Sequence, residues 1–310
     1  MRMKSFLIHI FTLARVSNIP TVWTNVLAAW VINSSASETL KIIPEISDLT
    51  FFNGSTLGFL LLGSSLIYAG GCTLNDAFDQ KFDKEHNPTR PIPSNSISPF
   101  TVWILGILEL ILGITLLTLG AGCNIFWAFA LIGSVVFYDF IHKKWIGGIF
   151  IMGLCRFFLW MTAATTGENF TICPQTWIWG TVLGAYVMGI SLFARGETKK
   201  HETPVQYSII LLFGSPLLAL VGLVYWNNLD PIRVFLINIV GLVAAWIAFT
   251  SIITMRESKK DSIGTAVSRL LAGICALDAT AIAFYSPILI APILCCLSIA
   301  VILQKKFAAT

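Results

Sequence analysis

Residues 75–93, NDAFDQKFDKEHNPTRPIP, gather acidic side chains in an otherwise apolar part of the chain. Asp76, Asp79 and Asp83 are spaced by three and four residues, and Asn75 lies four residues before Asp79. If the stretch is helical, these side chains project from one face, where three carboxylates repel one another. A solvated acidic loop would explain neither the helical spacing nor the position directly at the end of an apolar run.

A divalent cation bound by these carboxylates would remove the repulsion. Magnesium prefers carboxylate oxygens, retains water molecules and commonly completes its coordination with substrate phosphates. Lys84 and Arg90 are the local candidates for gripping a diphosphate, because cationic donors, and above all a guanidinium, match phosphate oxygens. A metal also makes diphosphate a better leaving group, since it stabilises the charge that develops as the bond breaks. The pattern therefore favours Mg²⁺ held by Asp76, Asp79 and Asp83.

The composition indicates the elements that position this stretch. Of the 310 residues, 56% are hydrophobic and 12% are charged, against about 25% charged in soluble proteins. The mean hydropathy is +0.80, and the apolar runs reach the roughly 20 residues that a membrane-spanning helix needs. These runs cover residues 14–33, 56–74, 99–119, 123–141, 146–166, 174–194, 206–226, 233–254, 265–284 and 287–304. We predict a single all-α integral membrane domain over residues 1–310, with nine or ten transmembrane helices around a central cavity.

The basic residues predict how this domain is oriented in the lipid bilayer. If the N-terminus is cytoplasmic, 16 of the 20 Lys and Arg residues fall in cytoplasmic segments, as the positive-inside rule requires. Both termini are then cytoplasmic, in a cell (inner) membrane, and residues 75–93 lie on that side. The net charge of +4 does not predict nucleic-acid binding, because in a membrane protein the location of the charges matters more than their sum.

The motif at Asn75–Asp83, followed by Asn87-Pro-Thr-Arg90-Pro-Ile-Pro93, resembles the first aspartate motif of the UbiA superfamily of intramembrane prenyltransferases. Arg15-Val-Ser-Asn18 is similar to the early Arg/Asn signature of that superfamily, and Tyr138 with Lys143-Lys144 is similar to its Tyr…Lys-Arg element. The resemblance implies a helical bundle with the aspartates at helix ends, and Mg²⁺-dependent transfer of a prenyl group from a prenyl diphosphate. The other partner would be an apolar or aromatic acceptor dissolved in the membrane.

Residue by residue, the motifs and the resemblance give a set of candidate roles. The catalytic candidates are Asp76, Asp79, Asp83 and Tyr138; the substrate-binding candidates are Arg15, Asn18, Asn75, Lys84, Arg90, Lys143, Arg156, Arg195 and Lys199; and the metal-binding candidates are Asp76, Asp79, Asp83 and Glu197. Tyr138 is either an interfacial aromatic or a ring that stabilises the allylic cation left by a departing diphosphate.

The chain departs from the superfamily at the second aspartate motif, because residues 189–202 contain no Asp. Glu197 and Glu202 are five residues apart and would not share a helix face. Either Glu197 serves one metal while Arg195 and Lys199 grip the diphosphate, or the second metal is lost and the protein binds a prenylated lipid or pigment precursor without transferring it. The run Ala194-Arg-Gly-Glu197, together with Met152–Arg156 and Ala276–Thr280, resembles the UbiA-like EboC group, which also has an R-G-E run here.

Arg156 is the costliest charge in the apolar runs, since a centred Arg costs roughly 2.5 to 3.5 kcal/mol on insertion scales. We expect it to face the bundle interior, either in an ion pair with Glu109 or Asp139 or in contact with substrate. Arg15 and Asn18 are expected one turn apart on the first span, facing the cavity.

Overall fold

The computed structural model describes residues 3–35, 53–143, 145–167, 171–195, 205–226, 229–256 and 262–307, and the structural statements below concern these residues. They form helices and connecting turns, without a strand. The helices are α1 (Met3–Leu13), α2 (Ile19–Ser35), α3 (Gly54–Phe78), α4 (Gln80–His86), α5 (Pro99–Thr115), α6 (Ile125–Ile141), α7 (Gly148–Ala164), α8 (Pro174–Arg195), α9 (Val205–Ile209), α10 (Ser215–Trp226), α11 (Pro231–Arg256), α12 (Ser262–Ala283) and α13 (Ile290–Gln304).

Seven helical segments are long and apolar enough to cross a membrane. They are Gly54–Phe78, Pro99–Gly120, Pro174–Ala194, Gln206–Tyr225, Pro231–Met255, Ser262–Ala283 and Pro287–Gln304. Two shorter apolar helices, α6 and α7, and the largely buried α2 complete the bundle. The predicted all-helical, multi-pass membrane architecture is thereby confirmed, whereas nine or ten crossings around a central cavity stay a prediction.

The sequence placed the start of the first membrane span too early, at residue 14, whereas α2 begins at Ile19. After α1 the backbone at Arg15 turns into the left-handed region, with φ 42° and ψ 52°, and a 3-10 turn at Val16–Asn18 leads into α2. Pro20 lies in the first turn of α2, where its missing N–H is tolerated, but it prevents α1 and α2 from joining into one helix. Arg15 and Asn18 therefore lie in the connection before the span, and not one turn apart on its helix.

Glycines bring α3 and α5 into close contact. Gly63 and Gly70 on α3 face Gly113 and Gly106 on α5, and a Cβ at Gly113 would lie 2.9 Å from the Gly63 carbonyl oxygen. Small residues at membrane helix interfaces let the backbones approach, so that van der Waals packing holds the helices together. This contact fixes α3, whose C-terminal end holds the acidic stretch.

We expect Gly113→Ala to lower stability by about 1–3 kcal/mol, because the added methyl group overpacks the contact between α3 and α5. The obstructing atoms include backbone, which cannot rotate away. Gly58→Ala is the matched control, since a Cβ there meets nothing within 4 Å. Thermal unfolding in detergent measures both variants, and equal melting temperatures for them would show that this contact is not tight.

The acidic stretch spans a bend between α3 and α4. Asp79 lies at the junction with φ −83° and ψ 2°, while the hydrogen bonds from Asp79 N to Asn75 O and from Asp83 N to Asp79 O keep a helical path. Pro88 then ends α4, because a proline disfavours helical geometry in the residue before it. The following turns are anchored by the buried side chains of Ile92 and Ile97, which pack with Leu13, Ala77 and Val102.

Candidate active site at the end of α3

Arg90 joins two of the predicted metal ligands. Its Nη1 donates to Asp83 Oδ2 at 2.9 Å and lies 3.2 Å from Asp76 Oδ1. Asp83 is almost fully buried, and its second oxygen accepts a hydrogen bond from Asn87 Nδ2 at 2.9 Å. The proline-rich turns after α4 thus bring Arg90 back onto the acidic face, as its position in the motif predicts.

Asp79 has different partners, because the bend turns it towards the end of α6. Its Oδ2 lies 2.8 Å from Lys143 Nζ and 3.3 Å from His142 Nε2. Burial alone would raise the pKa of Asp79, but the hydrogen bonds and charges of His142 and Lys143 outweigh burial and lower that pKa below its usual value. Asp79 therefore pairs with other basic side chains than Asp76 and Asp83 do, and its lowered pKa keeps it ionised between them.

Arg15 reaches the same site from the turn before α2. Its Nη2 lies 3.7 Å from Asp76 Oδ1 and donates to Asn75 Oδ1 at 3.3 Å. The Asn75 amide in turn donates to Asp139 Oδ1 on α6 at 3.0 Å. A left-handed backbone at a residue other than glycine costs about 1–2 kcal/mol, and at Arg15 this conformation accompanies a charged contact with Asp76.

Asp139 and His142 are functional candidates that the sequence analysis missed. Asp139 is buried, and its Oδ2 has no hydrogen-bond partner within the part of the chain that the structure describes. The signal was present, because an ionisable residue inside an apolar span is a functional candidate by default. Asp139 lies on the last turn of α6, four residues before Lys143, which follows the helix, so both can approach the end of α3.

Three further predicted site residues are placed as follows. Lys84 is exposed on α4, where its neighbour Asp83 points inward. Asn18 donates to the Tyr68 hydroxyl at 3.1 Å, deeper in the bundle. Tyr138 is half-buried and stacks on His142, with ring centroids 5.0 Å apart.

Of the two alternatives for Arg156, the ion pair with Glu109 or Asp139 is wrong. Arg156 donates instead to Asn25 Oδ1 at 2.7 Å and to Thr21 Oγ1 at 3.2 Å, both on α2. Helix α8 ends at Arg195, whose side chain lies outside the described part of the chain. The candidates Glu197 and Lys199 lie outside the described residues.

The donor chemistry fits magnesium, because buried carboxylates from neighbouring turns are hard oxygen ligands. In the described ranges, however, no three His, Cys, Asp or Glu side chains are close enough to hold a metal ion together. The protein's own cations lie between the carboxylates, with Arg90 on Asp76 and Asp83 and with Lys143 on Asp79. A metal ion would fit here if these cations turned from the carboxylates to the phosphate oxygens of a ligand.

An apolar groove of about 360 Å³ lies beside the acidic cluster, between α3, α5 and α6. Leu74 and Phe78, on the last turns of α3, form its inner wall, and Ile107 and Phe129 are partly exposed on its outer wall. The groove faces the outside of the bundle, where the membrane lies, and is therefore distinct from the predicted central cavity.

We expect Lys143→Met to weaken the acid dependence of stability. The pKa of Asp79 is lowered on folding, so its ionisation stabilises the fold above the unfolded-state pKa, and this contribution is lost as the pH falls through the folded pKa. Without Lys143 the folded pKa rises and less stability is lost on acidification. The difference is under about 1 kcal/mol, because Lys143 is partly exposed.

Melting temperatures from pH 7 to pH 3 measure this effect, with Lys143→Arg as the charge-preserving control. A Lys143→Met variant that loses as much stability on acidification as the wild type would contradict it.

Comparison with known proteins identifies the family. The model of the UbiA prenyltransferase family matches residues 46–266. Digeranylgeranylglyceryl phosphate synthase of Methanococcus aeolicus is 36% identical over 107 residues, which are 32% of this chain and 37% of that protein. Protoheme IX farnesyltransferase of Bacillus pumilus is 42% identical over 59 residues, 18% of this chain and 19% of that protein. The chain thus matches less than two fifths of the length of these curated relatives.

Solved structures share the fold over most of the chain. A UbiA homologue of Aeropyrum pernix, without ligand, has a TM-score of 0.58 at 11% identity, covering 86% of this chain and 96% of that one. A UbiA homologue of Archaeoglobus fulgidus, bound to GPP and Mg²⁺, has a TM-score of 0.53 at 16% identity, covering 87% of this chain and 99% of that one. With a family match over most of its length and this shared fold, the chain belongs to the UbiA prenyltransferase family.

Proposed function

We propose that the protein transfers a prenyl group from a prenyl diphosphate to an apolar or aromatic acceptor within the membrane, in a Mg²⁺-dependent reaction. Its relatives include named prenyltransferases, a digeranylgeranylglyceryl phosphate synthase and a protoheme farnesyltransferase. A UbiA homologue of Archaeoglobus fulgidus, which has a similar fold, is bound to GPP and Mg²⁺ in its solved structure.

The observation that carries the proposal is the cluster of Asp76, Asp79 and Asp83 at the end of α3. All three are buried, and each contacts a basic side chain. Burying several carboxylates is costly unless they are paired or bind a cation. Acids interleaved with bases suit a ligand that carries both metal and phosphate.

We assign roles to these residues by their chemistry. Asp76, Asp79 and Asp83 would hold Mg²⁺, with Glu197 as a further predicted ligand, and a bound metal ion stabilises the charge that develops on a leaving diphosphate. Arg15, Arg90 and Lys143 would bind the phosphate oxygens, since each already lies beside one of these carboxylates. Lys84, Arg195 and Lys199 remain predicted diphosphate contacts.

The apolar surroundings are suited to the other half of the substrate. Leu74 and Phe78 lead from the acidic cluster into the groove between α3, α5 and α6, which can take a hydrocarbon chain. Exclusion of water protects an allylic cation from being quenched, and Tyr138 would stabilise that cation through its ring. With the cytoplasmic termini that the basic residues predict, the diphosphate enters from the cytoplasmic side of the cell membrane.

A second candidate function is binding of a prenylated lipid or pigment precursor without transfer. It is favoured by the sequence of the α8 end and the segment after it, where residues 189–202 contain no Asp to form a second metal site. In this case the acidic cluster would bind a diphosphate but would not ionise it.

The two functions are distinguished with purified protein, radiolabelled geranylgeranyl diphosphate and a membrane-lipid extract as the acceptor pool, with and without Mg²⁺. Transfer predicts Mg²⁺-dependent formation of a labelled lipid together with diphosphate release. Saturable Mg²⁺-dependent binding without release would favour the binding protein. Farnesyl diphosphate in a parallel reaction separates a chain-length mismatch from a lack of activity.

A further inference from the structure

A second polar cluster lies deeper in the bundle than the acidic site. It comprises Thr21, Thr24 and Asn25 on α2, Arg156 on α7 and Asp278 on α12, together called the inner cluster. All five side chains are buried, Arg156 being 8% and Asp278 1% exposed. Ionisable residues inside a membrane bundle are costly, and they mark binding sites or ion pathways more often than stability devices.

The two charges of the inner cluster do not touch. Asn25 lies between them, accepting from Arg156 Nη1 at 2.7 Å through its oxygen and donating to Asp278 Oδ2 at 2.6 Å through its nitrogen. Thr24 Oγ1 also donates to Asp278 Oδ2, at 2.6 Å. A structural ion pair would gain most from direct contact, because the attraction falls with distance in an apolar interior. The separated arrangement needs another explanation.

Both charged groups keep hydrogen-bonding capacity that the described residues do not use. Both hydrogen bonds to Asp278 go to Oδ2, so Oδ1 accepts none. Arg156 donates through Nη1 and Nη2 to Asn25 and Thr21, which uses two of its five N–H groups. These acceptor and donor groups in the bundle interior are therefore available to a polar ligand.

The inner cluster is connected to the acidic site. The Arg156 guanidinium lies over the ring of Tyr68, 5.4 Å from its centroid, and the Tyr68 hydroxyl accepts from Asn18. Tyr68 precedes Asp76 by eight residues on α3, which is about 12 Å along the helix axis. The two clusters are thus neighbours along one face of the bundle interior.

We propose that the inner cluster binds the polar group of the acceptor, and that this acceptor is an uncharged hydroxyl compound. Its hydroxyl donates to Asp278 Oδ1, and its oxygen accepts from Arg156. An anionic acceptor is disfavoured wherever Asp278 is ionised, because its charge would then meet the Asp278 carboxylate. The assignment as an acceptor site rests on the proposed prenyl transfer, but binding of the hydroxyl compound does not require that reaction.

The test measures equilibrium binding of three labelled probes to the full-length protein in lipid nanodiscs, with empty nanodiscs subtracted, and without Mg²⁺ or prenyl diphosphate. The probes are 2-naphthol, 2-methylnaphthalene, which lacks the hydroxyl, and 2-naphthoate, which has a carboxylate at the same position. We expect saturable binding of 2-naphthol, and binding at least about tenfold weaker for the other two, since each loses a hydrogen bond to a charged group or adds a repulsion. These comparisons use the wild type alone and do not depend on how any variant folds.

Variants then locate the site. Arg156→Gln and Asp278→Asn should weaken 2-naphthol binding at least about tenfold, whereas Arg269→Gln, an exposed arginine on α12 that contacts Thr254, should bind as the wild type does. Absence of saturable 2-naphthol binding, equal binding of the three probes, or unchanged binding in folded Arg156→Gln and Asp278→Asn would each overturn the inference. Failure of prenyl transfer would instead show as absent Mg²⁺-dependent diphosphate release while 2-naphthol still binds.

Discussion

Asp79→Ala is expected to reduce prenyl transfer by about a hundred- to a thousandfold or more, because it removes a ligand that stabilises charge in the transition state. Asp79, just after α3, contacts His142 and Lys143, just after α6. The substitution therefore also removes the partner of two basic side chains. Initial rates of diphosphate release at saturating Mg²⁺ measure the effect.

Glu85→Ala is the matched control for Asp79→Ala. Glu85 lies in the same acidic stretch but is exposed on α4, and its removal should leave the rate within about twofold, since an exposed charge contributes little. Equal rates for the two variants would contradict the assignment of Asp79 to the active site. Melting temperatures of both proteins separate loss of chemistry from loss of folding.

Arg90→Met is expected to destabilise the protein by about 2–3 kcal/mol, because it leaves two buried carboxylates without their shared cation. Arg90 Nη1 lies 2.9 Å from Asp83 Oδ2 and 3.2 Å from Asp76 Oδ1. The partial exposure of Arg90 keeps the expected value below that of a fully buried ion pair. Thermal unfolding in detergent measures the loss.

The Arg90 effect is tested by its coupling to Asp83. Adding Asp83→Asn to Arg90→Met should recover part of the lost stability, since the unpaired carboxylate is then neutral, whereas Asp83→Asn alone should destabilise. Strictly additive effects of the two substitutions would contradict the contact. Arg269→Gln is a control for removing an exposed arginine.

Hydrophobicity and charge were sufficient to predict much of the fold. The apolar runs correspond closely to the membrane-spanning helical segments, because a chain that crosses lipid must satisfy its own backbone hydrogen bonds. The error at the first span has a local cause. Arg15 adopts a left-handed conformation before α2, and an apolar run cannot reveal a turn that depends on a single residue's backbone.

At the site, residues within the acidic motif were predictable, and contacts between distant segments were not. The return of Arg90 to Asp83 follows from proline-rich turns within the motif itself. By contrast, the approach of Asp139 to Asn75 depends on how α6 packs against α3, which includes Val135 against Gly71. For the same reason the partners of Arg156 were predicted on the wrong helices: Asn25 and Thr21 of α2 are more than 130 residues away in sequence.

The central claim is that the acidic cluster at the end of α3 binds a diphosphate together with Mg²⁺. The most direct test is equilibrium binding of radiolabelled geranylgeranyl diphosphate to the wild type and to Asp79→Ala while Mg²⁺ is titrated from zero. We predict binding to the wild type that rises and saturates with Mg²⁺, and that weakens at least about tenfold in Asp79→Ala. Binding that is independent of Mg²⁺, or equally strong in the two proteins, would contradict this account of the site.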